Sequence, residues 1–181
     1  MSNVQPRKTD PKEKYLSYKS AFDEYENLLE SKAYLGAYVL LNSILEDIIT
    51  SGFCDIRFML NKATFEEYKS RRCRVESKKK DVNGKTVKML VPASIANMID
   101  KMRVFDYGSE KFDKTKKDDL TALSEHFKRR NKIIHEAMWN LNVIKKSDCD
   151  DLRKLVKTAK RYAAKARRLL KKSEKWQMVS I

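Results

Sequence analysis

Residues that interrupt regular structure are scarce in this sequence, which has only four glycines and three prolines among 181 residues. Such scarcity favours long helices over many short strands and turns, because tight turns usually need one of these two residues. The chain is long enough to bury a core, and its length is typical of one domain. The sequence therefore predicts an all-α fold, an up-and-down bundle of about five helices.

Apolar spacing predicts the first two helices, which follow a polar leader. Residues 1–10 are polar and predict a flexible leader, so that residues 11–181 form the single helical domain. Pro11 suits a first helical turn and predicts the start of the first helix. Tyr34–Thr50 is apolar nearly all round, which predicts a helix in the centre of the bundle, and Ser51-Gly52 is predicted to end it.

The later helices show weaker or more polar patterns. Residues 55–72 have a weak helical pattern, and Pro92 is predicted to open the next helix. Residues 105–115 are predicted as a connector, after which Asp118 is predicted to cap a long helix. The last helix is predicted from Ser147-Asp148, with an apolar stripe and Lys or Arg at most other positions.

A basic insertion around residues 69–91 departs from the helical pattern. Val82-Asn83-Gly84-Lys85 contains an Asn-Gly pair, which is the strongest short signal for a β-hairpin. Residues 74–78 and 86–91 are predicted as its two strands. A disordered basic loop is the alternative, because few apolar residues are available to anchor such strands.

Charge is concentrated in two segments of the chain. The formal net charge of +15 argues for an anionic partner, usually nucleic acid. Residues 69–88 carry a net charge of +7 and residues 153–175 carry +10, so the rest of the chain sums to −2. Like charges repeated along a helix destabilise it, which favours phosphate binding over a merely solvated face. The residues predicted to contact RNA, with DNA as the alternative, are Arg71, Arg72, Arg74, Lys78, Lys79, Lys80, Lys157, Lys160, Arg161 and Arg168.

Several classes of protein are disfavoured by the composition. The three cysteines are scattered and show neither metal spacing nor a disulfide framework, which is typical of reduced thiols in the cytoplasm. The N-terminus lacks the apolar run of a signal peptide, and no apolar stretch is long enough to cross a bilayer. Membrane-surface binding is disfavoured because the last apolar stripe is rich in Ala and lacks Trp or Phe before Trp176. We therefore predict a cytoplasmic protein with no membrane partner.

The most informative motif is Arg130-Asn131-Lys132-Ile133-Ile134-His135. Arginine is a permanent cation that grips phosphate with paired donors, and histidine is the side chain most easily used as an acid or base near neutral pH. In RNA the 2′-hydroxyl can attack the adjacent phosphorus, which requires removal of one proton and delivery of another. The motif therefore indicates a site that holds and cuts a phosphodiester without a metal or another cofactor.

Helix geometry separates the two charged members of this motif. Arg130 and His135 are five residues apart, which on a helix places them roughly 140° apart and about 7.5 Å along the axis. One helix does not easily bring both onto one atom, which favours a site completed by a second copy in a homodimer. A purely structural role remains the alternative, in which Arg130 pairs with a carboxylate and His135 caps or packs. His126 and His135 show no spacing that closes a metal site.

The motif Arg130-Asn131-x-x-x-His135, late in an all-α bundle, resembles the HEPN family (higher eukaryote and prokaryote nucleotide-binding domains). The stretch Ala33–Glu46 is similar to that family's central helix, where small and apolar residues lead to an acidic position. The resemblance implies a metal-independent endoribonuclease, acting as a toxin or in antiviral defence, that dimerises so that two motifs meet in a cleft.

By that resemblance Arg130 and His135 are catalytic, Asn131 is their polar partner, and Glu46 lines the cleft. A surface carboxylate is the alternative reading of Glu46. For a toxin, an inhibitory partner protein is a further expectation. Two features depart from the family. Ala137 stands where one branch has a modifiable tyrosine, and the basic insertion is not a standard part of the bundle.

Two other functions stay open on the sequence. The same fold could hold RNA or DNA without cutting it. It could also be a helical interaction module that binds an acidic protein, such as a toxin neutraliser or a phage accessory factor. Cleavage that survives EDTA separates the first reading from both alternatives, and steep salt dependence separates nucleic-acid binding from protein binding.

Overall fold

The computed structural model describes residues 11–80, 84–108, 110–140 and 142–178. Over these residues the chain forms six α-helices and one small two-stranded sheet, with 75% helix and 8% strand. The all-α helical bundle with an inserted hairpin is confirmed, although the helices number six where the sequence predicted about five. The predicted flexible leader, residues 1–10, lies outside the described residues.

The elements follow one another along the chain in a mostly helical order. They are α1 (Pro11–Glu30), α2 (Tyr34–Met59), α3 (Phe65–Ser70), β1 (Arg74–Lys80), β2 (Thr86–Pro92), α4 (Ile95–Val104), α5 (Glu110–Trp139) and α6 (Lys146–Lys171), with a 3₁₀ turn at Glu174–Met178. Among the described helices, none combines the length and hydrophobicity that a bilayer span requires.

Helix α2 is longer than its sequence predicts. Ser51-Gly52 does not end it, because Gly52 lies buried where a Cβ atom would come within 3.0 Å of Ala163. The glycine therefore permits close packing against α6 and does not terminate the helix. The helix ends at Met59, and Asn61, two residues further on, adopts a left-handed conformation with φ 55°. The amides of Asn61 and Lys62 then donate to the carbonyls of Phe58 and Arg57, in the pattern of a Schellman cap.

Two other predicted helix boundaries were wrong. The weak pattern over residues 55–72 is divided between the end of α2 and the short α3, which begins after a capping box formed by Thr64 and Glu67. Pro92 ends β2, and α4 begins at Ile95 after a second capping box at Ser94. Helix α6 begins at Lys146, within one residue of the predicted start at Ser147-Asp148, and the Asp148 carboxylate accepts from the Lys145 amide at 2.7 Å.

Helix α5 begins at Glu110, eight residues before the predicted cap at Asp118. Aromatic packing explains the extension. The Phe112 ring meets Tyr162 edge to face with centroids 5.3 Å apart, and the Tyr162 hydroxyl donates to Asp119 at 2.7 Å. These contacts give the polar stretch after Glu110 a buried side, which its sequence pattern does not reveal.

The predicted hairpin is present, and its base is its best-anchored part. β1 and β2 pair antiparallel from Arg74 opposite Pro92 to Lys80 opposite Thr86. At the base, Val75 is buried, and the Arg57 guanidinium donates to the Arg74 carbonyl at 2.8 Å. Most described side chains of the outer half are exposed. Asn83 of the predicted turn lies outside the described residues.

The chain divides into two compact units, and α2, α5 and α6 contribute to both. The first unit contains the residues up to Ile48 together with Thr121–Arg161. Within it the Tyr18 hydroxyl of α1 donates to Asp47 of α2. Its largest buried side chains include Tyr25, Leu41, Leu45 and Leu123.

The second unit contains Ile49–Leu120 and the residues from Tyr162 onward. It holds the hairpin, α3 and α4. Its core is more aromatic than that of the first unit, and its largest buried side chains include Phe53, Ile99, Met102, Tyr107 and Tyr162. The three cysteines of the chain are free thiols and are buried.

Candidate functional site

His126, on the inner side of α5, is held by a buried amide. Its Nε2 lies 2.7 Å from Asn42 Oδ1 on α2. Asn42 is 4% exposed, and its Nδ2 donates to the Tyr38 carbonyl at 2.9 Å, so its Oδ1 is left to accept. His126 therefore donates from Nε2. Burial lowers the pKa of His126. This histidine is a half-buried, hydrogen-bonded residue between α5 and α2.

Arg130 lies one helical turn after His126 and is held on several sides. Its guanidinium forms an ion pair with Glu46 of α2, and the two side chains are 24% and 37% exposed. Nε and Nη2 donate to Asn131 Oδ1 at 3.4 and 3.3 Å. The Phe127 ring lies 5.3 Å from Cζ. The fold thus brings together three of the predicted site residues, namely Arg130, Asn131 and Glu46.

His135 stands apart from this cluster. It is exposed, and it has no hydrogen bond or ion pair with any described residue. Asn131, predicted as a polar partner of the site, bonds to Arg130 and not to His135. A purely structural role predicts that Arg130 pairs with a carboxylate, as it does with Glu46. The same role predicts that His135 caps a helix or packs, whereas His135 is exposed. Within one chain Arg130 and His135 do not converge.

The basic residues predicted to bind nucleic acid near the hairpin differ in their exposure and in their existing contacts. Arg71 closes α3 in a left-handed conformation with φ 54°, and Arg74 is paired with Glu67 at 2.6 Å. Arg72, Lys78 and Lys80 are exposed, and the side chain of Lys79 lies outside the described residues. The register places Lys78 directly opposite Lys88. Like charges in this position destabilise a sheet, so an anion would relieve the repulsion.

The predicted residues on α6 are mostly exposed. Lys157, Arg161 and Arg168 face solvent. Lys160 is more engaged, because its Nζ lies 4.0 Å from the centroid of the Phe22 ring, and partial burial lowers the pKa of its amine. These positions offer cations but no built pocket.

A cavity lies within the second unit. It has a volume of about 640 Å³ and is lined by apolar residues such as Leu60 and Val104, with Lys101 and Lys172 beside them. Its lining includes one carboxylate, Asp106, but no histidine. The candidate site is therefore the motif on α5, where a paired guanidinium and an exposed imidazole occur together.

Sequence reasoning missed one exposed residue beside His135. Trp139, one helical turn further along α5, is 89% exposed. Its signal in the sequence is the four-residue spacing from His135 to Trp139, which places both on one helix face.

The candidate site is therefore a held guanidinium and an open imidazole on neighbouring turns of α5. Among the described residues, no three His, Cys, Asp or Glu side chains come together in a group suited to a metal ion. Comparisons with protein-family models, with curated proteins and with solved structures found no match for this chain.

Proposed function

We propose that this protein is a metal-independent endoribonuclease of the HEPN type, with its active site shared across a homodimer. The observation that carries the proposal is the contrast between Arg130, held by Glu46 and Asn131, and His135, open to solvent. A fixed cation and an available acid–base group are the two parts that this cleavage needs. The role as a toxin or antiviral factor, which the resemblance implies, belongs to the same proposal.

The reaction assigned to His135 is proton transfer at the scissile linkage. The imidazole accepts the proton of the ribose 2′-hydroxyl as its oxygen forms a bond to phosphorus. The bond from phosphorus to the 5′-oxygen breaks, and the imidazolium formed when His135 accepted the first proton delivers that proton to the 5′-oxygen. The products are a 2′,3′-cyclic phosphate and a 5′-hydroxyl, and DNA is not cut because it lacks the attacking hydroxyl.

Arg130 stabilises the negative charge that grows on the phosphoryl oxygens during this step. Glu46 fixes the orientation of the guanidinium from α2. The bonds to Asn131, at 3.3 and 3.4 Å, are long for N–H···O bonds and therefore weak. A phosphate oxygen can take over these donors at little cost, while the ion pair with Glu46 stays in place.

Support for the homodimer comes from the position of the two groups on α5. Arg130 and His135 lie about 140° apart round the helix, and the structure gives them no common contact within one chain. A two-fold axis beside α5 can bring the guanidinium of one copy to the imidazole of the other. The second copy is thus part of the active site.

Cleavage of labelled RNA in EDTA tests the reaction. We expect the unaltered protein to cut, His135→Ala and Arg130→Ala to lose cutting, and the products to carry cyclic-phosphate ends. Glu136→Gln, next to His135 and exposed, is the matched control and should cut normally. Cutting that EDTA abolishes, or that survives in both alanine variants, contradicts the proposal.

Mixed dimers test the shared site. Separately, His135→Ala and Arg130→Ala are expected to be inactive. After mixing and exchange, half of the dimers carry one of each chain, and one of their two sites contains both intact groups. Recovery of about a quarter of the original activity is expected for a site that pairs groups from different copies. No recovery, or a monomeric mass in solution, contradicts it.

A second candidate function is supported by the hairpin alone. The exposed Lys78 opposite Lys88 is suited to phosphate, and nothing about it requires catalysis. A protein that binds RNA or DNA without cutting it would show salt-dependent binding but no cleavage, with the unaltered protein and both alanine variants behaving alike.

A further inference from the structure

The outer side of α5 carries four residues in one narrow stripe, namely Lys128, Lys132, His135 and Trp139. At about 100° per residue, their positions fall within an arc of roughly 60° and span about 16 Å of helix. All four are exposed, and Trp139 is 89% exposed. All four also belong to the first unit.

The stripe has a chemical order from its first residue to its last. Two cations come first, then the imidazole, then an aromatic ring. The only acidic residue between Lys128 and Trp139 is Glu136, which lies about 100° round the helix from His135 and about 40° from Lys132, beyond one edge of the stripe. A polyanion can therefore run along the stripe without meeting a carboxylate on its centre line.

Trp139 is exposed in a setting that suits a nucleobase better than a protein surface. Among the described residues of α5 it is the only large hydrophobic side chain that lies exposed. Protein interfaces are built from contiguous apolar patches with a depleted charge at their centre. Base stacking needs a single accessible ring beside cations that hold the phosphates.

We propose that this stripe is the track for single-stranded RNA. Lys128 and Lys132 contact phosphates on one side of the scissile linkage at His135, and a base on the other side stacks on Trp139. Stacking of this kind requires a base that is free of its own helix, so the substrate class is single-stranded rather than duplex RNA. The inference rests on the proposed function for the role of His135, but binding along the stripe does not depend on cleavage.

Tryptophan fluorescence reports the stacking directly. The chain has two tryptophans, and Trp176→Phe leaves Trp139 as the single reporter. The probe is a short single strand with 2′-O-methyl riboses, which cannot be cut because the attacking hydroxyl is blocked. We expect saturable quenching with the single strand and none with the same strand annealed to its complement. Binding detected by anisotropy without quenching overturns the proposal.

Substitution of Trp139 measures how much the stacked base contributes to binding affinity. Trp139→Ala should weaken binding of the probe by about fivefold to a hundredfold, as expected for loss of one stacked base, and Trp139→Phe should retain most of the affinity. The mass in solution of both variants should equal that of the unaltered protein. If Trp139→Ala dissociates a dimer that Trp139→Phe preserves, the ring belongs to a protein interface and the proposal is wrong.

The lysines are tested through salt. Lys128→Ala and Lys132→Ala should each reduce the slope of log affinity against log salt concentration by about 0.7. Arg129→Ala, an exposed cation about 100° away from Lys128 on the same helix, is the matched control and should leave the slope unchanged. Equal losses in all three variants would mean diffuse attraction to α5 and would overturn the track.

The outcomes separate this inference from the proposed function. Quenching that persists in His135→Ala, together with no cleavage of ordinary RNA by the unaltered protein, supports the track and contradicts the nuclease. Cleavage that is lost in His135→Ala but is unaffected by Trp139→Ala, with no quenching, supports the nuclease and contradicts the track.

Discussion

The two histidines of α5 have opposite environments, although they lie only nine residues apart. Nine residues turn an α-helix by about 180°, so the rings lie on opposite sides. His126 is half-buried and donates to Asn42, whereas His135 is exposed and has no polar partner among the described residues. The difference shows that residue type does not assign a role. A satisfied, desolvated imidazole stabilises the fold, and an open one is available for chemistry.

Loss of the open ring is expected to have the largest effect on activity. His135→Ala should reduce cleavage by about a hundredfold to ten-thousandfold, because the acid–base group is gone. Its melting temperature should stay unchanged, since the ring contacts no described polar group. Rates on a labelled RNA and thermal unfolding of the same sample provide the measurement. A large fall in melting temperature would show that His135 is structural.

Loss of the half-buried His126 ring is expected to reduce stability and to leave cleavage unchanged. His126→Ala leaves Asn42 without its partner and opens a gap beside Tyr38, so the free energy of unfolding should fall by about 1–3 kcal/mol. Cleavage per folded molecule should be retained. Urea unfolding measures the first quantity, and activity at a temperature well below the transition measures the second. If His126→Ala had normal stability but lost cleavage, His126 would be the catalytic histidine and the assignment of the two residues would be wrong.

Lowering the pH should change the free energy of unfolding through His126 but not through His135, by a smaller amount than the substitutions above. Burial lowers the pKa of His126 below its ordinary value of 6.5, so the folded chain binds fewer protons there than the unfolded chain. The free energy of unfolding should therefore fall as pH decreases below about 6.5 and should be insensitive to this group above it. Urea unfolding at pH 7.5 and 5.5 should show the loss in the unaltered protein and in His135→Ala, but less of it in His126→Gln. An equal loss of unfolding free energy in all three proteins would show that a group other than His126 is responsible.

The smallest expected effect concerns the hairpin, where charge faces charge. Lys78→Glu converts the pair with Lys88 into an opposite-charge pair and should stabilise the hairpin by about 0.2–1 kcal/mol, while nucleic-acid binding weakens. Lys80→Glu makes the same change of net charge opposite Thr86 and should stabilise less. Hydrogen exchange of the β1 amides measures the difference. Equal stabilisation by both variants would show that general charge reduction, not the facing pair, is responsible.

Local patterns predicted the elements more reliably than their ends. The hairpin followed from its Asn-Gly pair and flanking strand residues, because both act within a few positions of each other. Gly52 was misread as a helix end, since a glycine looks the same whether it terminates a helix or admits Ala163 to close contact. The start of α5 was missed for a similar reason, because the aromatic partner of Phe112 is Tyr162, far along the chain.

The candidate site was recognised only in part from the sequence. The spacing of Arg130, Asn131 and His135 was visible, and Glu46 was a hypothesis that came from the resemblance. The contact of Glu46 with Arg130 joins residues 84 positions apart, which no local pattern encodes. Trp139 is local to His135 on the helix, yet its importance depends on exposure, which composition does not reveal.

By itself, the sequence determined the helical character, the basic hairpin and the order of chemical groups along α5, because these follow from backbone preferences and from spacing over a few residues. Only the tertiary structure decided which histidine is enclosed, which carboxylate holds Arg130 and where α2 ends. The physical reason is that burial and partnership are set by packing between segments distant in the chain. Identical side chains on one helix therefore acquire different exposure and different contacts.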